Sequence, residues 1–154
     1  MYMNKRRVVF VCIHNSGRSQ MGEGFLRSLT GDRFEVASAG IEAGTLNPLV
    51  VKAMAEVGID LSSHYAKTAQ SLIEGGDKFD TVITVCDETS AERCPVFPGN
   101  GTNGIAERLH WGFPDPSGLK GSDEEKLAAI RPIRDAIQVK IEHWLKETSH
   151  DAVS

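Results

Sequence analysis

The feature that most constrains the fold is a continuous apolar run, Val8–Ile13, which a short polar loop separates from a helical pattern. A run so rich in valine, without polar alternation, is typical of a strand buried on both faces of a parallel sheet. It predicts a strand over Arg7–Cys12. After the loop, apolar residues recur at every fourth position over Ser19–Leu29, which predicts a helix. A strand, a loop and a helix in this order are typical of an α/β fold.

The remaining chain continues this alternation. Strands are predicted at Phe34–Ser38, Asp80–Val85 and Glu107–Trp111. Helices are predicted at Pro48–Gly58, at Ala69–Ile73 and from the capping box Ser122–Glu125 onward. Pro132 is expected to kink the last helix or to begin a new one. Because no repeat or linker divides the sequence, we expect a single domain over residues 1–154: a four-stranded parallel sheet flanked by helices in a three-layer sandwich.

Composition and charge exclude several classes of protein. The net charge of −4 and the pI of about 5.7 argue against a nucleic-acid-binding domain, which is normally basic. The run Val8–Ile13 is far shorter than the roughly 20 residues of a membrane helix. Lys5–Arg7 resembles the start of a signal peptide, but His14 cuts the apolar stretch short and no cleavage site follows. We therefore expect a cytoplasmic protein that binds neither nucleic acid nor membranes.

The chain has three cysteines, Cys12, Cys86 and Cys94. An odd and sparse set is not the framework of a disulfide-rich secreted domain. It does not predict a metal site either, because seven residues separate the closest pair, whereas zinc ligands usually lie about 2–4 apart. Buried cysteines that act as small hydrophobic residues remain the simple alternative.

The loop between the first strand and the first helix is a candidate anion-binding site. Its backbone N–H groups and the helix dipole converge on one point, and a cysteine at the strand end, Cys12, lies at the base. The same donors stabilise a thiolate, which makes Cys12 the candidate nucleophile. Arg18 can bind two oxygens of the anion, and Ser19 can donate to the sulfur. The predicted substrate-binding residues are Ile13, His14, Asn15, Ser16, Gly17, Arg18 and Ser19. The side chain of His14 is expected to face outward. Gly17 is expected to permit a close backbone approach.

A second candidate lies late in the chain, in the segment His110–Pro116. Asp115 stands between two prolines, which by itself is typical of a turn. Together with the Cys12 loop it becomes a candidate general acid, because a carboxylic acid above an anion site can protonate a departing oxygen.

Cys86 follows the third predicted strand as Cys12 follows the first. The carboxyl ends of parallel strands share one edge, so these two residues can meet. Eight residue steps of helix between Cys86 and Cys94 span about 12 Å, whereas disulfide partners need Cα atoms within about 7 Å. A bond between them therefore requires the helical turn over residues 87–93 to unwind, with residues 95–101 as a mobile flap. The alternative is that Cys86 is a core residue and Cys94 an exposed thiol.

These residues together resemble the thioredoxin-coupled arsenate reductases, which share the low-molecular-weight protein tyrosine phosphatase fold. The resemblance extends over almost the whole chain. The matching motifs are Cys12–Ser19 with Gln20–Gly24, Ser38–Ile41, Asn47–Pro48, Cys86 with Cys94–Pro95, and His110–Pro116.

The resemblance implies a reaction. Cys12 attacks arsenate held by the loop and Arg18, while Asp115 protonates the departing oxygen. Cys86 then attacks Cys12, which releases arsenite, and Cys94 attacks Cys86. Thioredoxin reduces the final disulfide, and thiol–disulfide exchange of this kind needs no metal or organic cofactor. We expect the protein to act as a monomer.

The sequence departs from relatives in three places. Gly17 stands where some have another cysteine, and Ser117–Gly118 stand where phosphatases tend to carry aromatic residues. Some relatives bind potassium through residues matching Asn15, Glu23, Ser38 and an acidic residue. Lys67 matches that acidic position, and its ammonium is expected to replace the cation.

Two other functions remain open. A phosphatase acting on phosphotyrosine or small phosphate esters would use Cys12, Arg18 and Asp115 in the same way. A non-catalytic oxyanion sensor would bind anions and form a reversible disulfide without steady turnover.

Overall fold

The computed structural model describes residues 6–99, 104–116 and 119–153. Four strands form one parallel sheet: β1 (Arg6–Cys12), β2 (Phe34–Gly40), β3 (Thr81–Thr84) and β4 (Glu107–His110). Their order across the sheet is β2-β1-β3-β4, so β1 and β3 are central neighbours. The predicted strands and their parallel arrangement are confirmed.

In the described part of the chain, five α-helices connect or follow the strands: α1 (Arg18–Thr30), α2 (Pro48–Ala55), α3 (Ala69–Glu74), α4 (Glu88–Ala91) and α5 (Asp123–Val153). A short 3₁₀ turn, Gly31–Arg33, precedes β2. Asn47 caps α2 by accepting a hydrogen bond from the Leu49 N–H at 2.9 Å. Within the described residues, no helix is long and apolar enough to span a bilayer.

The last helix begins at the predicted capping box and is continuous. The capping box is present, since the Glu125 N–H donates to Ser122 Oγ at 3.2 Å and the Ser122 N–H donates to Glu125 Oε1 at 3.3 Å. Helix α5 then continues through Pro132 instead of starting again there. Buried residues on both sides of the proline, including Ile130 and Ile137, anchor the helix, and this packing outweighs the hydrogen bond that proline cannot make.

Each face of the sheet has its own apolar core. The major core lies between the sheet and helices α1, α2 and α5, and the minor core lies on the opposite face against α3 and residues that include Cys94, Phe97 and Ala106. Alternate residues of β1 enter the two cores: Phe10 is in the major core and Val9 in the minor core, and both are fully buried. The three-layer α/β sandwich is confirmed, and it places the carboxyl ends of β1 and β3 side by side.

Candidate active site

Residues 13–17 join β1 to α1, and the predicted anion-binding segment, Ile13–Ser19, continues into the first turn of α1. Three carbonyls accept backbone hydrogen bonds from the segment after β2: Cys12 from Ile41 at 3.0 Å, Ile13 from Glu42 at 2.8 Å and Ser16 from Asn47 at 2.9 Å. The C=O and the following N–H of a trans peptide point in opposite directions. The N–H groups of Ile13, His14 and Gly17 therefore point away from that segment. Successive donors turned to one side form the kind of concavity that binds an anion.

Cys12 lies at the start of this loop and is almost fully buried. Its Sγ is 2.8 Å from Ser19 Oγ. Asn15 Nδ2 donates to the same hydroxyl oxygen at 2.7 Å. Because that bond uses a lone pair of the hydroxyl, its hydrogen stays available for the sulfur. The geometry agrees with the predicted contact between Ser19 and Cys12.

Asn15 holds the shape of the loop. Its backbone lies in the left-handed region, with φ of 56°, which asparagine tolerates better than most residues. Its side-chain Oδ1 accepts hydrogen bonds from Gln20 Nε2 and from the Lys67 backbone N–H, both at 3.0 Å. Gln20, which is outside the predicted set of site residues, also donates to the Tyr65 carbonyl at 3.1 Å. The residues that fix Asn15 thus come from two separate parts of the chain, the start of α1 and the segment of Tyr65 and Lys67.

A buried carboxylate, Glu23, extends this polar network. Its Oε1 accepts from Ser38 Oγ at 2.6 Å, and its Oε2 pairs with Arg27 at 2.6 Å. His64 Nδ1 lies 3.0 Å from Gln20 Oε1 and 3.9 Å from Glu23 Oε2. Gln20 could have been found from the sequence, because it is a polar residue within the apolar pattern of α1. No local sequence pattern identifies His64 as part of this network.

Lys67, whose ammonium is expected to replace a cation, contacts the same network. Its backbone N–H, not its ammonium, contacts Asn15, and Nζ lies 5.2 Å from the centre of the Tyr65 ring. Burial lowers the pKa of Lys67, and attraction to Glu23 opposes this effect. With a lysine here and Glu23 already paired to Arg27, the residues do not fit a potassium site. Within the described residues, no group of three or more His, Cys, Asp or Glu side chains is placed to hold a metal ion.

Close backbone contacts explain three glycines around the loop. A Cβ on Gly17 would lie 2.9 Å from Pro116 Cγ, so the predicted close approach is present. A Cβ on Gly40 would lie 2.7 Å from the carbonyl carbon of His14, and one on Gly44 would lie 2.6 Å from the His14 carbonyl oxygen. Side chains at these positions would push the loop away from its supports.

Arg18 is 4% exposed at the first position of α1. Its Nη1 donates to the Phe113 carbonyl at 3.0 Å, and its Nη2 is 3.6 Å from Asp115 Oδ2. The segment with the candidate acid therefore lies beside the loop, although 95 residues separate Arg18 from Phe113. The side chain of Asp115 is 42% exposed.

Cys86 lies two residues after β3 and packs with Cys12 in the major core. Burial raises the pKa of the Cys86 thiol to about 11; the charge of Arg18 lowers this pKa, and nearby Cys12 raises it. These electrostatic interactions agree with the expected meeting of Cys12 and Cys86 at one edge of the sheet. Both cysteines are free thiols here.

Cys94 occupies a different layer. It is a free thiol, 5% exposed, and belongs to the minor core. The alternative of an exposed thiol is therefore wrong. Helix α4, which separates it from Cys86, has only four residues, Glu88–Ala91. Part of the expected flap, residues 100–101, lies outside the described residues, as do Ser117 and Gly118.

His14 faces outward, as predicted. Its Nε2 is 3.2 Å from Glu42 Oε2, and Glu42 also pairs with Arg93 at 2.7 Å. Arg93 is the main cause that lowers the pKa of Glu42. These exposed charges link the outside of the loop to the segment before Cys94.

The family model of the low molecular weight phosphotyrosine protein phosphatases matches residues 7–154, and the chain belongs to this family. Within it, the chain is 46% identical to the arsenate reductase of Halalkalibacterium halodurans over 140 residues, which are 90% of this chain and 94% of that protein. The resemblance to arsenate reductases is thereby confirmed.

Solved structures agree with this assignment. An arsenate reductase in the phosphate binding state has a TM-score of 0.70 and 29% identity, over 92% of this chain and 98% of that chain. A thioredoxin-dependent arsenate reductase of Corynebacterium glutamicum has a TM-score of 0.59 and 26% identity, over 92% of this chain and 64% of that one.

Proposed function

We propose that this protein is an arsenate reductase, which reduces arsenate to arsenite through Cys12, Cys86 and Cys94 and is recycled by thioredoxin. The observation that carries this proposal is the placement of a second thiol, Cys86, beside the Cys12 loop and Arg18. Hydrolysis of a phosphate ester needs the loop, an arginine and an acid, but it does not need that second thiol. The similarity to named arsenate reductases supports the same conclusion.

In the first step, the N–H groups of residues 13–19 and the guanidinium of Arg18 bind the oxyanion. The Cys12 thiolate attacks arsenic and forms a sulfur–arsenic bond. Asp115 gives a proton to the departing oxygen, which leaves as water. The 3.6 Å separation between Arg18 and Asp115 supports these roles, because it places the acid beside the guanidinium that binds the anion.

In the second step, the Cys86 thiolate attacks the Cys12 sulfur. The electron pair of the sulfur–arsenic bond goes to arsenic, so arsenate is reduced to arsenite and a Cys12–Cys86 disulfide forms. Because its pKa is raised to about 11, Cys86 must lose a proton first, and the positive charge of Arg18 favours that loss.

In the third step, Cys94 attacks Cys86 and releases Cys12 as a thiolate. Thioredoxin then reduces the Cys86–Cys94 disulfide by exchange. Because Cys94 starts in the minor core, α4 and the residues after it must rearrange. One chain supplies all of these groups, so we propose that the protein acts as a monomer. We also propose that it acts in the cytoplasm, where thioredoxin keeps thiols reduced.

The deciding experiment is arsenate-dependent oxidation of NADPH in the presence of thioredoxin and thioredoxin reductase. We expect steady turnover by the wild type and none by Cys86→Ser. The same variant should still hydrolyse an aryl phosphate slowly, since the loop, Arg18 and Asp115 are intact. Equal arsenate turnover by both proteins, or none by the fully reduced wild type, would contradict the proposal. Ester hydrolysis without arsenate turnover would indicate a phosphatase.

A further inference from the structure

Cys94 is held in place by contacts to its backbone as well as by burial. The minor-core residues around it are apolar, among them Val82, Phe97 and Ala106. Such a site keeps the thiol away from oxidants, but the same burial slows its transfer to Cys86. A residue that controls both the position and the ionisation of Cys94 would therefore affect the relay.

Arg108 makes the relevant contacts. Its Nη2 donates to the Cys94 carbonyl at 2.8 Å and to the Pro95 carbonyl at 3.1 Å. The Cys94 thiol donates to the same Pro95 carbonyl at 3.5 Å. The guanidinium and the thiol thus converge on one oxygen. Arg108 is on β4 and pairs in register with Val82 of β3, so the contact comes from a rigid strand.

The surrounding charges distinguish Arg108 from its neighbours. Burial raises the pKa of the Cys94 thiol, and the charge of Arg108 acts in the opposite direction. On the segment of Cys94 itself, Glu92 and Arg93 are exposed, and Arg93 is paired with Glu42. When Cys94 loses its proton, its hydrogen bond to Pro95 is lost while the guanidinium remains close.

We propose that Arg108 is a positioning residue for Cys94: it fixes the backbone of Cys94 and Pro95 in the minor core and favours loss of the Cys94 proton there, before the segment rearranges and the thiolate attacks Cys86. This proposal rests on the cysteine relay described above. In the step concerned, the Cys94 thiolate forms a bond to Cys86 sulfur, the Cys12–Cys86 bond breaks, and Cys12 leaves as a thiolate that takes up a proton. No external oxidant or reductant is needed.

The test measures the rate of iodoacetamide alkylation of Cys94 as a function of pH. It uses full-length protein that carries Cys12→Ser and Cys86→Ser. Arg108→Met should raise the pH midpoint of alkylation by about 0.5 to 1, because a cation beside the thiol is lost. It should also raise the plateau rate about tenfold, because the hydrogen bonds to both carbonyls are lost. Arg108→Lys keeps the charge, so it should retain the midpoint while the plateau still rises.

Arg93→Met is the matched control. It removes a guanidinium from the residue next to Cys94, and within the described residues this guanidinium does not contact the Cys94 carbonyl. It should leave the midpoint unchanged. An unchanged profile in Arg108→Met, or the same shift in Arg93→Met, would overturn the proposal. Alkylation of Cys94 does not depend on arsenate. Failure of arsenate turnover in the wild type would therefore contradict the proposed function. The alkylation profile tests the role of Arg108 independently of that result.

Discussion

At the scale of single residues, Arg18 shows how the site is prepared before an anion arrives. Burying a guanidinium is costly unless its N–H groups are satisfied. The Phe113 carbonyl and Asp115 meet part of that need and hold the side chain over the loop. Little side-chain freedom then remains to be lost when an anion binds.

Arg18→Ala should weaken phosphate binding at least about 100-fold, because two charge-assisted hydrogen bonds are lost. Isothermal titration calorimetry of the reduced protein measures the affinity. Arg33→Ala is the control, since it removes the same charge at the other end of α1 and should bind phosphate normally. Wild-type affinity in Arg18→Ala would contradict the assigned role.

Cys86 should react faster as pH rises. Its raised pKa, about 11, leaves the thiol protonated at neutral pH, so the thiolate fraction grows about tenfold per pH unit below that value. Peptide-resolved mass spectrometry of alkylated Cys94→Ser protein measures this rate between about pH 7 and pH 10. A rate that levels off near pH 8 would show that Cys86 ionises far more easily than its burial indicates.

Lys67→Ala should change the melting temperature by less than about 2 °C, because the cost of burying the ammonium, which lowers the pKa of Lys67, offsets its attraction to the buried Glu23. Potassium chloride should not activate the wild type beyond the effect of equal sodium chloride. Lys52→Ala, on the exposed side of α2, is the control and should melt like the wild type. Strong activation by potassium would refute the replacement of a cation by Lys67.

At the scale of elements, α4 and the residues after it form the part that must move. Four residues make a helix with few internal hydrogen bonds, so unwinding it is inexpensive. The larger barrier is the removal of Cys94 from the minor core. Movement is thus opposed by tertiary contacts more than by helix stability.

Cys94→Ser should complete one turnover and then stop. We expect about one arsenite per protein and accumulation of the Cys12–Cys86 disulfide, which peptide mapping under non-reducing conditions detects. Thioredoxin should not restore steady activity, because the disulfide that it reduces cannot form. Rapid multiple turnover with thioredoxin would contradict the relay.

At the scale of the whole molecule, stability comes mainly from α5 and the major core. Ile137 is fully buried there. Ile137→Ala should lower the free energy of unfolding by about 2–5 kcal/mol, through lost burial and the cavity left behind. Val139→Ala, at a site that is 51% exposed on the same helix, should cost less than about 0.5 kcal/mol. Urea denaturation measures both, and equal losses would contradict the assigned packing of α5.

The sequence by itself determined the features that depend on near neighbours. Valine-rich runs, a capping box and the spacing of Cys12 from Arg18 predict strands, a helix start and an anion loop, because their periods and backbone donors are local. The edge of the sheet at which Cys12 and Cys86 meet was also predictable, since the carboxyl ends of parallel strands lie on one side of a sheet.

Only the tertiary structure decided which distant residues support that site. The contacts of Asn15 with Lys67 and of Arg18 with Phe113 join positions 52 and 95 residues apart. The burial of Cys94 and its contact with Arg108 likewise depend on which layer each segment covers. No local pattern encodes these choices, because they arise from packing one layer against another and from the need to pair buried polar groups.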